Sequence, residues 1–155
     1  MTLLVFRLGG ATFALPVERV HALLEPLPAT AVPNAPAIAP ALVNVRGTVV
    51  PLVDLRRRLR LAPCERTEET RLMVVETTLS GEPARLAGEA DAVEAVIDTD
   101  EARIVAVPEI GARWPAGAVL GALLRDGEPV LSLDPDVAFA LPEGGDPRSR
   151  EGARP

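Results

Sequence analysis

Nucleophilic, acid–base or metal chemistry would have to come from very few side chains in this sequence. It holds one histidine, His21, and one cysteine, Cys64. A cysteine nucleophile needs a neighbouring base to draw off its proton. Cys64 follows Pro63 in a polar stretch, and no base stands at a motif spacing from it. A zinc site needs three or four Cys, His or carboxylate ligands, and His21 has no such companions. It reads as a partly exposed polar residue. Asp54 precedes the run Leu55-Arg56-Arg57-Arg58-Leu59-Arg60-Leu61, and an aspartate in that place is a helix cap rather than a catalytic acid. The sequence therefore points to no catalytic residue, no metal and no cofactor.

The remaining chemistry is that of arginine. The Arg56-Arg57-Arg58-Leu59-Arg60 cluster suggests nucleic acid, but the formal net charge is −6 and only 3% of residues are aromatic. Phosphate binding draws on surplus positive charge and stacking on aromatic faces. Neither is available, so the cluster reads as a solvated helix face, and a small-barrel nucleic-acid binder is the weaker alternative. An anionic membrane is disfavoured for the same reason. The N-terminus lacks the basic flank and apolar core of a signal peptide, and no apolar run is long enough to span a bilayer. The expectation is a cytoplasmic protein without membrane insertion whose partners are other proteins.

The most informative stretch runs from Asn44 to Arg56. Val45, Thr48, Val49, Val50 and Val53 suit strands, and Gly47 allows a bulge or tight bend. Pro51 donates no ladder hydrogen bond and belongs at a strand edge or bulge. The spacing predicts strand, break, strand and a short helix capped by Asp54. Arg46 is the one charge between the apolar runs. It either holds the turn through Asp54 or backbone carbonyls, or it stands exposed as an interface guanidinium, a role its planar fork suits.

The elements around this stretch are short. Gly9-Gly10 predicts a hairpin between Val5–Leu8 and Ala11–Leu15. Val17, Val20 and Leu24 fit a helical face, whereas Val20 to Leu24 also fits a third strand. On a strand, Val20 and Ala22 point one way and His21 and Leu23 the other, so one of these sets can line a groove; Val20, His21 and Leu23 are the candidates drawn from the two. Five prolines between Pro26 and Pro40 make a stiff connector, and Ala62 to Thr70 is a polar loop. Arg71–Thr77 and Ala84–Ala90 flank a turn at Ser80 to Pro83, Asp91–Ile97 follows, and Val105 to Pro115 is a loop. Asp126-Gly127 closes a second hairpin of Val119–Leu124 and Val130–Leu133. Val119, Leu120 and Leu123 could form an exposed edge that faces a partner, but ordinary core is the stronger reading. Asp134-Pro135 starts a last helical turn, and the chain from Pro142 reads as disordered. The unit from Asn44 to Leu55 is echoed from Leu120 to Val137, which suggests internal duplication. Many short strands and few helices indicate an all-β fold of small barrels or a sandwich.

From about Leu3 to Ala140 the chain resembles the CheW-like scaffold domains of bacterial chemosensory systems. The resemblance rests on Asn44, Arg46, Gly47, Pro51, Asp54, Leu55 and Arg56 in the spacing Asn-x-Arg-Gly-x-x-x-Pro-x-x-Asp-Leu-Arg. Four weaker matches stand in order: Phe6-Arg7-Leu8-Gly9, Val32 to Pro36, Asp91 to Val96 and Leu131 to Asp134. It implies two small five-stranded barrels, pseudo-symmetric and of SH3 or OB type, in one domain over residues 1–141 with a tail over 142–155. It implies a non-enzymatic adaptor between the cytoplasmic tip of a methyl-accepting chemoreceptor and the regulatory domain of a CheA-like histidine kinase. A scaffold of a non-chemotactic pathway, controlling surface motility or a second messenger, fits the same fold. Implied receptor-groove residues are Val20, His21, Leu23 and Arg46, with Asn44, Gly47, Pro51, Asp54 and Arg56 structural. The chain departs at Ala41, where the family usually has Gly, and at Ala22, where many members have an acid able to pair with the motif arginine. Glu18, Glu25 or a partner carboxylate would then serve Arg46.

Overall fold

Glycine after a residue that can enter the left-handed region closes a tight hairpin, and this chain uses that device at Gly9-Gly10, Arg46-Gly47, Ser80-Gly81 and Asp126-Gly127. In each pair both φ angles are positive, the turn geometry whose twist matches that of the flanking strands. These turns join β1 (Thr2–Leu8) to β2 (Ala11–Pro16), β5 (Ala41–Val45) to β6 (Thr48–Leu52), β7 (Arg71–Leu79) to β8 (Glu82–Ala90), and β10 (Val119–Arg125) to β11 (Glu128–Leu133). The remaining strands are β3 (Val20–Leu24), β4 (Ala29–Ala31) and β9 (Ala92–Asp98). Short helices follow β6 and β11: α1 (Leu55–Arg58) and α2 (Pro135–Ala138). The computed structural model describes residues 1–108 and 114–141. The expected tail from Pro142, and the centre of the loop between Val105 and Pro115, lie outside the described residues.

The strands form two curled sheets, ordered β10-β11-β2-β1-β9 and β3-β7-β8-β6-β5-β4. Each sheet sets a hairpin from one half of the chain beside strands from the other half. The seams are parallel pairings, Leu131 with Phe13 and Ser132 with Ala14 in the first sheet, Leu52 with Ala87 in the second. Read in reverse, the second sheet runs β5-β6-β8-β7-β3 once β4 is set aside, which is the first sheet strand for strand. The echo between Asn44–Leu55 and Leu120–Val137 is therefore β5-β6-α1 matched by β10-β11-α2.

Two sequence expectations need correction, and one left open is resolved. The second sheet has six strands rather than five, because Ala29–Ala31 in the proline-rich connector pairs with β5. Glu82 and Pro83 open β8 rather than belonging to the turn. Of the two readings of the segment from Val17, the strand over Val20–Leu24 is the one observed, preceded by a 3₁₀ turn at Val17–Arg19.

Burial explains the long apolar runs of β1 and β7, which are covered on both faces. One face of each, with Leu4, Phe6 and Leu8 on β1 and Met73 and Val75 on β7, enters a shared core with Leu55, Leu59 and Phe139. The other faces fill separate small cores, Leu3 and Val5 with Leu123 and Val130, and Leu72 and Val74 with Val43 and Val50. Gly88 sits where the two helical units converge. A Cβ there would lie 2.8 Å from Leu55 Cδ1 and 2.9 Å from Phe139 Cε2.

Candidate functional site

The β5–β6 hairpin presents its one charge at its tip. Asn44 holds the turn, its Oδ1 accepting from the Gly47 N–H at 2.8 Å. Arg46 takes the first turn position at φ 53°, followed by Gly47 at 88°. The left-handed region costs an L-residue roughly 1–2 kcal/mol. The other hairpins fill that position with Gly9, Ser80 and Asp126, and Asp tolerates it comparatively well. Arg46 does not gain from local bonding there. Its side chain is exposed and makes no hydrogen bond or ion pair among the described residues. Of the two sequence readings, the turn-holding one fails: Asp54 instead accepts from Arg57 N at 3.1 Å and caps α1. Glu18 and Glu25 make no ion pair with Arg46 either.

The free guanidinium stands at a shallow groove of about 150 Å³ lined by His21, Ala22, Val45, Arg46, Thr48, Val50, Val74 and Arg85. The floor is apolar and the rim cationic. His21 Nδ1 lies 3.3 Å from Glu76 Oε1, with Arg85 Nη2 4.0 Å from the same oxygen. Of the predicted groove residues, His21 and Arg46 come together. Leu23 points outward from the same strand face as His21 and is 41% exposed, but it does not line the groove. Val20 turns inward and packs on the shared core. A shift in register between Val20 and Ala22 separates them.

The remaining motif residues are structural. Pro51 faces Leu42 across the hairpin, and β6 meets β8 only at Leu52, so the missing N–H of Pro51 leaves no rung unmade there. Arg56 forms an ion pair with Asp91 and donates to Ala62 O at 3.3 Å, tying α1 to the corner before β9.

A second exposed surface lies along β10, where the core reading holds for two residues and fails for Leu120. Val119 packs on the shared core and Leu123 is buried, as expected. Leu120, in contrast, is 55% exposed and Leu124 is 74% exposed. Alternation along β10, an edge strand, sends them outward. Val105, also exposed, bridges this strand at Ala122. The signal was available in the two-residue period, but it is hidden in an unbroken apolar run.

Among the described residues no cluster of three or more His, Cys, Asp or Glu could hold a metal ion. Burial lowers the pKa of Arg58 from its usual value, and its Nε and Nη2 have no hydrogen-bond partner. No described helix is long and apolar enough to cross a membrane.

The CheW-like domain family matches residues 2–143. The chain is 28% identical over 142 residues to a protein named chemotaxis protein CheW from Rhizobium meliloti (strain 1021), covering 91% of this chain and 88% of that one. It is 34% identical over 73 residues to chemotaxis protein CheW from Bacillus subtilis (strain 168), 47% of each chain. Its structure is similar to that of the scaffolding protein TtCheW from Thermoanaerobacter tengcongensis, with a TM-score of 0.80 at 23% identity, covering 94% of this chain and 90% of that one.

Proposed function

The chain belongs to the CheW-like domain family of chemotaxis scaffolds, and on that premise we propose that it is a cytoplasmic, non-enzymatic adaptor joining a chemoreceptor's cytoplasmic tip to the regulatory domain of a CheA-like histidine kinase. The observation that carries the receptor half of this reading is Arg46. It is an unpartnered guanidinium held in a costly backbone conformation above an apolar groove. Strain of that kind is kept where the surroundings or a function require it. Arginine at the rim with an apolar floor suits a helical hairpin whose apolar face enters the groove while a carboxylate meets the cation. His21 and Leu23 extend the same face. The kinase half rests on β10, where Leu120, Leu124 and Val105 offer an exposed apolar edge to a homologous barrel.

Two separate surfaces on one rigid body suit a connector, because a change at one partner alters how the other fits only if both contacts are held in fixed relation. The test is reconstitution. The chain, a kinase regulatory domain and a receptor cytoplasmic fragment are mixed at tens of micromolar and passed through a sizing column. A three-component peak is expected, with Leu124→Asp losing the kinase alone. Failure of the wild-type chain to bind either partner contradicts the reading.

A further inference from the structure

Two of the ion pairs that join the halves of the chain link a helix to a strand corner, and they occupy equivalent places with their charges exchanged. On α1 the second helical residue, Arg56, reaches Asp91, the residue just before β9. On α2 the second helical residue, Asp136, reaches Arg19, the residue just before β3. Both pairs are braced by backbone. Asp91 Oδ2 accepts from Gly9 N at 2.9 Å, beside the β1–β2 turn. Asp136 Oδ1 accepts from Thr78 N at 3.2 Å, near the β7–β8 turn, and Arg19 Nε donates to Glu76 O at 2.7 Å. In each clamp the helix comes from one half of the chain and the corner from the other. The first half therefore carries only arginine at its two clamp positions, and the second half only aspartate.

This arrangement has a consequence for copies of the chain meeting one another. Because the two sheets correspond strand for strand, two first halves from different copies could pair as a first and a second half do, with β1–β2 of one beside β3, β5 and β6 of the other. Such a pairing sets Arg56 against Arg19 twice. Two second halves set Asp136 against Asp91 twice. The Arg56 side chain is only 16% exposed, so like charges there are weakly screened and poorly hydrated, which is costly. We propose that these four residues form a charge code selecting which halves pair: complementary halves accept each other, and the same half of a second copy is refused. The code works by repulsion against the wrong partner as much as by attraction to the right one.

The full chain tests this by reversing clamps. Arg19→Asp with Asp136→Arg keeps both clamps oppositely charged within a chain, yet gives each half one acid and one base, so that like halves become compatible. Adding Arg56→Asp and Asp91→Arg reverses both clamps and restores the refusal. Each protein is unfolded in denaturant, refolded at high concentration and sized by light scattering on a column. The one-clamp reversal is expected to give on the order of tenfold more dimer than wild type, and the two-clamp reversal a wild-type distribution. A wild-type distribution for the one-clamp form, or equal dimer in both forms, overturns the proposal. Should the reversed forms not fold, the uncharged pair Arg19→Gln with Asp136→Asn serves: dimer above wild type supports the code, and no increase overturns it.

Discussion

The β5–β6 and β10–β11 hairpins occupy equivalent positions in the two sheets and have nearly the same tip geometry, Arg46 at φ 53° and Asp126 at 51°, each followed by glycine. Only the side chains differ. Aspartate is short and tolerates the left-handed region, so Asp126 is accounted for by the turn alone. Arginine gains nothing from the turn, makes no local bond, and stands over an apolar groove. The same backbone thus only closes the turn in one hairpin, and in the other, on the proposed function, it also presents a side chain to a partner. A duplicated fold supplies its own control, since whatever one unit does for stability alone the other should do equally.

The helices that follow these hairpins give the largest expected effect. Gly88 leaves room for Leu55 and Phe139 to meet, and a Cβ there falls within 3 Å of both. Gly88→Ala is expected to cost about 1–3 kcal/mol by overpacking, read as a lower denaturant midpoint; an unchanged midpoint would show that the helical units are more loosely packed than described. Next come the caps, where the two units should behave alike. Asp54 accepts from Arg57 N and Asp134 accepts from Asp136 N, so Asp54→Ala and Asp134→Ala should each cost about 1 kcal/mol in thermal or chemical unfolding.

The tips should then part company. Arg46→Gly relieves a bulky side chain of the left-handed region and is expected to stabilise the fold by about 1 kcal/mol. Asp126→Gly should gain less, because aspartate suits that region better. Equal gains by calorimetry would erase the distinction between the hairpins. The smallest effect is expected at Arg58, where Nε and Nη2 are buried without partners. Arg58→Met keeps the apolar stem and removes the unsatisfied donors, and a slight rise in melting temperature is expected.

Much of this was legible in the sequence wherever one residue type dictates local geometry. Gly9-Gly10 and Asp126-Gly127 announced their hairpins, and Asp54 and Asp134 announced their helices. Asn44, Pro51 and Arg56 fell into structural places that their chemistry allows. What escaped the sequence depends on long-range pairing. β4 is three exposed residues, Ala29, Thr30 and Ala31, with no pattern of its own; it exists because β5 offers an edge. Nothing local says that β11 lies beside β2, so neither the exchange of hairpins between sheets nor the pairing of Arg19 with Asp136 could be read in advance. Alternation leaves open which face of β3 lines the groove, and a register shift beside Val20 turns it to the core. Leu120 was assigned to the core by composition, and alternation turned it outward.

The central claim is that Arg46 recognises a partner and Asp126 does not. The direct measurement is calorimetric titration of a chemoreceptor cytoplasmic fragment into Arg46→Ala and Asp126→Ala side by side, with kinase regulatory-domain binding as the control for folding. The account predicts that Arg46→Ala loses at least about 2 kcal/mol of receptor affinity, while Asp126→Ala matches wild type and both retain the kinase. Equal receptor affinity in the two variants would contradict it.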